Sequence, residues 1–152
     1  MNEHLRTIVL GSDHAGLSLK DRLKQTLAGQ GYDVLDVGTN SPASCDYPDF
    51  AHAACAKLMD GSAHFGVLVC GTGIGMSIAA NRTPGIRCAL LHDVTGARLT
   101  RAHNDANMMA LGARMIGEEV ALDILRVFLD TPYEGGRHAR RVAKIDSAEG
   151  AI

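Results

Sequence analysis

The residues best suited to chemistry lie in one stretch, Val67-Leu68-Val69-Cys70-Gly71-Thr72-Gly73-Ile74-Gly75-Met76-Ser77. An apolar, β-branched run ends in a cysteine, three glycines follow at alternate positions, and a helix-compatible run starts at Met76. This reads as strand, tight loop and helix N-terminus. Glycines let the backbone approach a ligand closely, and the unpaired N–H groups of a helix start attract negative charge. A thiol beside those groups is favoured as a thiolate, and so as a nucleophile or a base. The plainer alternative is packing, because cysteine is among the most buried residue types.

Other reactive side chains are scattered along the chain. Asp13-His14 sets an acid beside an imidazole, and at a turn both can face a cleft. His103-Asn104 closes a helical segment. Either histidine alone is as well explained by an ordinary structural role. Arg137 and Arg141, four residues apart, put two guanidinium groups on one helix face. That face could hold a phosphate dianion, or it could be a solvated basic surface continued by Arg140 and Lys144. Two familiar phosphate loops fail on spacing. After Gly71 and Gly73 the dinucleotide fingerprint needs glycine where Met76 stands, and no lysine follows the loop as a P-loop requires. Asp93 lies at the distance of a ribose-binding acid, a coincidence without the fingerprint.

The elements that must position these groups follow from periodicity and punctuation. Strands are expected at Thr7–Ser12, Asp33–Gly38, Gly66–Cys70, Ile86–Leu91 and Met108–Leu111. Between them, Leu19, Leu23 and Leu27 mark a helix over Leu17–Ala28 stopped by Gly29-Gln30-Gly31. Asp46 is expected to cap a second helix, with Pro48 and Asp49 in its first turn and its end near Asp60-Gly61. Further helices are expected after the glycine loop, over Val94–Ala102, from Glu118, and over Arg137–Ala148. Five alternations of strand and helix without repeat or linker imply a single three-layer α/β domain, residues 1–152, on a five-stranded parallel sheet. In such sheets ligands bind outside the carboxyl ends of the strands. Asp13-His14, Cys70 with its loop, and His92-Asp93 fall there, and His103-Asn104 is expected to gather at the same edge.

Composition bounds the function. The 152 residues are 46% hydrophobic and 21% charged, the balance of an ordinary soluble domain long enough for a real core. A net charge of −2 gives no electrostatic case for nucleic acid or an anionic membrane as partner. No apolar run reaches membrane-spanning length, and Met1-Asn2-Glu3-His4-Leu5-Arg6 lacks the apolar core of a signal peptide. Cys45, Cys55, Cys70 and Cys88 show neither a CxxC pair nor zinc-ligand spacing, so no metal is expected and the cytoplasm is the default location.

Five motifs in order along nearly the whole chain carry a resemblance. They are Gly11-Ser12-Asp13-His14-Ala15-Gly16, Asp46-Tyr47-Pro48-Asp49-Phe50-Ala51, Cys70-Gly71-Thr72-Gly73-Ile74-Gly75, His103-Asn104-Asp105-Ala106-Asn107 and Tyr133-Glu134-Gly135-Gly136-Arg137-His138. Together they resemble the type-B ribose-5-phosphate isomerase family, whose relatives include allose- and galactose-6-phosphate isomerases. The resemblance implies a Rossmann-like α/β/α domain with a C-terminal helix. It implies a metal-free, cofactor-free aldose–ketose isomerase acting on D-ribose 5-phosphate and D-ribulose 5-phosphate in the pentose phosphate pathway. Carried over by position, Cys70 is the proton-abstracting base and His103 the acid that opens the sugar ring. Asp13, His14, Tyr47 and Asn104 bind substrate, Gly71, Thr72, Gly73, Ile74 and Gly75 form the anion-holding loop, and Arg137, Arg141 and Arg114 are phosphate ligands. One branch of the family places a glutamate base where Met76 stands here, so this chain resembles the cysteine-base branch. The resemblance also implies a homodimer or tetramer in which His103, Asn104 and Arg114 reach the neighbouring subunit's site. The rivals are a hexose phosphate such as allose 6-phosphate as substrate, or a phosphate- or nucleotide-binding regulatory module without catalysis.

Overall fold

The computed structural model describes residues 7–147. Along it run β1 (Thr7–Ser12), α1 (Leu17–Gly29), β2 (Asp33–Asp36), α2 (Tyr47–Met59), β3 (Phe65–Cys70), α3 (Ile74–Ala80), β4 (Cys88–Leu90), α4 (Val94–Asn104), β5 (Met108–Gly112), α5 (Glu118–Asp130) and α6 (Arg137–Asp146). Ala148, the expected end of the last helix, lies outside the described residues. The five strands form one parallel sheet in the order β2-β1-β3-β5-β4. None of the described helices is long and apolar enough to cross a membrane.

Side-chain parity divides the core in two. On one face Ile8, Leu10, Val67, Val69, Met109 and Leu111 pack against α1, α4 and α5 through Leu23, Leu27, Ala97, Ile124 and Phe128. On the other, Val9, Leu68, Cys70, Met108 and Ala110 meet α2 and α3 through Ala51, Ala54, Cys55, Met76 and Ala80. Successive strand residues point to opposite faces, so each strand serves both cores. Right-handed crossovers explain which helices go where. Connections that move one way along the sheet, β1 to β2 and β4 to β5, carry α1 and α4; those that move the other way carry α2 and α3.

Several expected boundaries shift for local reasons. The sequence suggests a strand over Ile86–Leu91, but β4 keeps only Cys88–Leu90. The Ile86 N–H turns to the Thr83 carbonyl at 3.1 Å and the Arg87 N–H is taken by Asn107 Oδ1 at 2.9 Å. β2 stops at Asp36, whose Oδ1 accepts the Gly38 N–H at 3.0 Å and curls the backbone. Asp46 holds the N-cap position of α2 with extended backbone, yet its side chain makes no capping bond. Asp93 does cap: its side chain accepts the Gly96 N–H at 2.7 Å, which gives that acid a structural role at the start of α4. α1 ends as its glycines imply. Gly31 has φ +86°, and the N–H groups of Gly31 and Tyr32 return to the carbonyls of Ala28 and Leu27, both at 3.1 Å.

One buried ion pair anchors the segment that leads toward the carboxyl edge of the sheet. Lys20 is fully buried, and its Nζ reaches both Asp36 oxygens at 2.9 and 2.8 Å and the Thr39 carbonyl at 3.0 Å. Burial of Asp36 works against its charge, but hydrogen bonds from Lys20, Lys24 and the Gly38 N–H outweigh it and hold the carboxyl below its ordinary value. This clamp fixes where the loop from β2 to α2 sets out. Replacing Asp36 by Asn leaves a buried ammonium without its paired charge, facing one amide oxygen, the Thr39 carbonyl and the more distant Asp21, 3.5 Å away. Such a loss costs about 3 kcal/mol, read as a fall in denaturant midpoint. Because the native carboxyl titrates below its unfolded value, its stabilisation is complete above pH 3.8 and drains as pH falls through the native value. The Asp36→Asn protein should therefore show a shallower acid limb in a pH–stability profile than the parent.

Candidate active site

β1 and β3 are neighbours, but the chain leaves β1 in one direction, to β2, and returns in the other to reach β3. The helices that follow β1 and β3 lie on opposite faces, so their first turns diverge and leave a crevice at the carboxyl edge. Ser12 pairs with Val69 in the ladder, so the next residues, Asp13 and Cys70, flank that crevice. The Asp13 N–H donates to the Val69 carbonyl at 3.3 Å, and Asp13 Oδ1 accepts the Gly16 N–H at 3.1 Å, which fixes the acid in place.

Parity points Cys70 to the α2/α3 face, and the glycine loop folds back over it. Its side chain is 5% exposed, with its inner side in the core and its outer side at the cleft. The Gly73 N–H donates to Cys70 Sγ at 3.1 Å. Gly73 reaches this geometry with φ +75°, a left-handed conformation that side-chain-bearing residues rarely adopt. The Ile74 N–H donates to Thr72 Oγ1 at 3.2 Å. Two amides of the loop are thus engaged within it, one of them by the sulfur. α3 begins at Ile74, earlier than the run from Met76 suggests, and Met76 itself is fully buried in the core.

Tyr47, the first residue of α2, lies against Gly75 so closely that a Cβ there would stand 2.5 Å from Tyr47 Cζ. Arg114, just beyond β5, is tied to the loop by its N–H to the Gly71 carbonyl at 3.0 Å. Asp13, Tyr47, Cys70, the glycine loop, Ile78 and Arg114 line a cleft of about 440 Å³. Beside it Ile74 and Ile78, one helical turn apart, are 48% and 62% exposed. His14 does not line the cleft; its Nδ1 accepts the Cys45 N–H at 3.3 Å. His92 is exposed and stands outside it.

His103 and Asn104 are not at this edge, contrary to the expectation from sequence. α4 starts after the carboxyl end of β4 and ends before the amino end of β5, so its last residues sit at the opposite rim. β5 opens opposite Gly66, a distance of roughly 13 Å along β3 from Cys70. Two arginines hold that corner. Arg87 donates to the Asn104 and Asp105 carbonyls at 3.0 to 3.1 Å and to both Asp146 oxygens at 3.0 Å. Arg101 lies over the Phe65 and Phe128 rings, 4.9 and 5.6 Å away, and donates to Asp105 Oδ1 and the Ala106 carbonyl. Asp105, held this way, takes φ +45° and turns the chain into β5.

His103 joins a cluster on that rim. Its ring stacks on His138 of α6, centroids 4.2 Å apart and planes 13° from parallel. Glu134 Oε2 lies 3.4 Å from His138 Nε2 and 3.9 Å from His103 Nε2, and the Glu134 N–H secures the turn to the Ala102 carbonyl at 3.0 Å. Burial lowers the His138 imidazole below its ordinary value, and His103, Arg137 and Arg141 push the same way against Glu134. Arg137 and Arg141 are exposed and make no hydrogen bond or ion pair among the described residues. Donor atoms of His103, Glu134 and His138 lie within 4.8 Å of one another, the composition of a metal site. An ion sits in the plane of each imidazole that binds it, however, and two stacked, nearly parallel planes share no such point.

The chemistry-bearing side chains therefore lie in two groups: a thiol cleft with Asp13, Tyr47 and Arg114, and an opposite rim with His103, Arg137 and Arg141. The description "Ribose/Galactose Isomerase" belongs to the family whose pattern matches residues 8–145. The chain belongs to this family. It superposes on the ribose-5-phosphate isomerase B of Clostridium thermocellum with a TM-score of 0.93 and 46% identity, covering 94% of this chain and 97% of that one. It is 41% identical to ribose-5-phosphate isomerase B of Escherichia coli over 95% of this chain and 97% of that protein. It is also 41% identical to D-erythrulose-4-phosphate isomerase of Pectobacterium atrosepticum over 91% and 92%. It is a sugar phosphate isomerase by family, and the five motifs fall at the thiol cleft, the opposite rim and their supports.

For this family member, sequence reasoning expected Arg114 to reach a neighbouring subunit's site; it lines the cleft of its own chain. Glu134 and His138 were legible only as letters of a motif, because the stack joins two helices that no spacing rule connects. Arg87 and Arg101 gave no signal of their own. Gly73→Ala tests the loop. A Cβ there would stand 2.8 Å from the Leu111 carbonyl carbon, in a strained backbone conformation. The expected loss is about 1–3 kcal/mol, read by chemical denaturation.

Proposed function

We propose that the chain interconverts D-ribose 5-phosphate and D-ribulose 5-phosphate, with each active site built from the two half-sites of neighbouring copies. The observation that carries this reading is Cys70: a thiol at the crevice mouth, its sulfur accepting a loop N–H, beside a cleft of sugar size. The aldose is mostly cyclic, so His103 first gives a proton to the ring oxygen as the C1–O bond breaks, while the anomeric hydroxyl loses its proton to Asp13. Cys70 then takes the C2 proton of the open aldose and returns it at C1, while the O2 hydroxyl proton passes to O1. General-base catalysis contributes about 10²–10⁴-fold. The enediolate between these steps is anionic, and each preorganised donor facing it is worth roughly 3–4 kcal/mol. Gly71, Thr72 and Gly75 of the loop and the Arg114 guanidinium are the groups for that charge; Tyr47 and, from the other copy, Asn104 shape the pocket, while His14 supports it from behind through the Cys45 N–H. Arg137 and Arg141, exposed and without a carboxylate partner among the described residues, hold the phosphate and so orient the reacting carbons.

The distance between the half-sites supports a homodimer or tetramer, and the exposed Ile74 and Ile78 beside the cleft offer apolar surface for it. A cytoplasmic place in the pentose phosphate pathway goes with this substrate. The relative named for erythrulose 4-phosphate favours a second reading, a four-carbon substrate. A tetrose 4-phosphate has no free hydroxyl to close a five-membered ring, so it gives the His103 cluster nothing to open; that cluster favours the pentose. An allose 6-phosphate would need a ring-opening acid too.

Ketose formation from ribose 5-phosphate, allose 6-phosphate and erythrose 4-phosphate, with chelator present, should be fastest with the pentose. No turnover of any would leave a binding module. Cys70→Ala and His103→Ala should each be inactive on ribose 5-phosphate. Co-refolded, they should regain about a quarter of parental activity, since half of randomly paired dimers carry one intact site of two. If the mixture stays inactive, the site is not shared.

A further inference from the structure

We propose that His138 and Glu134 are positioning residues for His103, a stacked imidazole and a carboxylate that hold its ring in place and let the pair carry a single proton. The proposal rests on the reading of His103 as the ring-opening acid. His103 stands at the end of α4 with its side chain 35% exposed, where an unsupported imidazole would sample several rotamers. What restrains it is the flat contact with His138, which is itself 6% exposed and seated in the turn of α6. An apolar residue would fill that buried slot without cost. A histidine there needs a polar partner, and Glu134 supplies it from the preceding turn.

The charges facing the stack decide how many protons it holds. Glu134 comes from the turn, Arg137 and Arg141 from α6, and His103 from α4. Two imidazolium rings in face contact repel each other, and the two arginines oppose a second proton further. A single carboxylate in reach of both Nε2 atoms favours the first proton. The pair therefore loads one proton for ring opening and does not become a doubly charged, separated pair. The step balances: one proton passes from the pair to the ring oxygen, one leaves the anomeric hydroxyl to Asp13 across the interface, and the closed sugar becomes the open aldose.

Three variants test this on two aldoses: ribose 5-phosphate, mostly cyclic, and erythrose 4-phosphate, whose esterified C4 hydroxyl leaves it open. His138→Phe keeps a flat ring in the slot but cannot hold a proton; Glu134→Gln alters an exposed side chain; His103→Ala is the reference. With initial rates, His138→Phe and Glu134→Gln should lose about ten- to a hundredfold in kcat/KM on the ring substrate and less than about threefold on the open one. The alkaline limb of the ring-substrate pH profile should move to lower pH in both variants: in His138→Phe the ring that shares the proton is gone, and in Glu134→Gln an opposite charge is gone. The open-chain profile should not move. Equal losses on both substrates, or unmoved limbs, in these two variants while His103→Ala still discriminates would overturn the positioning role alone. If His103→Ala loses equally on both substrates, the ring-opening reading itself falls. Should His138→Phe fail to fold, the Glu134→Gln limb decides.

Discussion

In a parallel sheet every strand ends at one rim and every crossover helix ends at the other. Residues that directly follow strands and residues that directly follow crossover helices therefore lie at opposite rims of the sheet. Cys70 and Asp13 follow β3 and β1; His103 and Asn104 end α4. The division of the chemistry into a thiol cleft and a histidine–arginine rim is a consequence of strand direction. On the proposed reading the two groups complete one site only between copies, and the exposed apolar turn of α3 beside the cleft is surface for that contact.

At each rim, position is set by packing and hydrogen bonds from residues outside the cluster itself. Parity along β3 turns Cys70 toward α3, where the loop can close over it; a slip of one residue would send it to the α5 side. The buried Lys20–Asp36 pair holds the start of the loop that leads to Tyr47, and Tyr47 in turn fits only because Gly75 has no side chain. At the other rim Arg87 and Arg101 hold the carbonyls around Asp105 and keep the last turn of α4 in register with α6. A buried guanidinium is costly, and here it lies between two aromatic rings and a carboxylate that offset the loss of water.

Much of this could be read directly from residue order. The leucine repeat of α1, its glycine stop, the acid-rich first turn of α5 and the apolar strand before Cys70 are local patterns with local causes, and the structure keeps them. Where the reading slipped, a non-local bond had intervened: Asn107 took the Arg87 N–H from β4, and the Asp36 carboxylate curled the end of β2. The placement of His103 slipped for a larger reason. Its distance along the chain from Cys70 says nothing of which rim it occupies until the strand order is known.

By itself, then, the sequence determined the kinds of group available and their immediate backbone settings: a thiol before a glycine loop, an imidazole closing a helix, two arginines one turn apart. Those depend on neighbours a few residues away, and periodicity records them. Tertiary structure alone decided which groups share a cleft, which face Cys70 looks toward, and that His103 rests on His138 beside Glu134. Those contacts join residues through strand order and helix packing, which are settled by burial of the whole core.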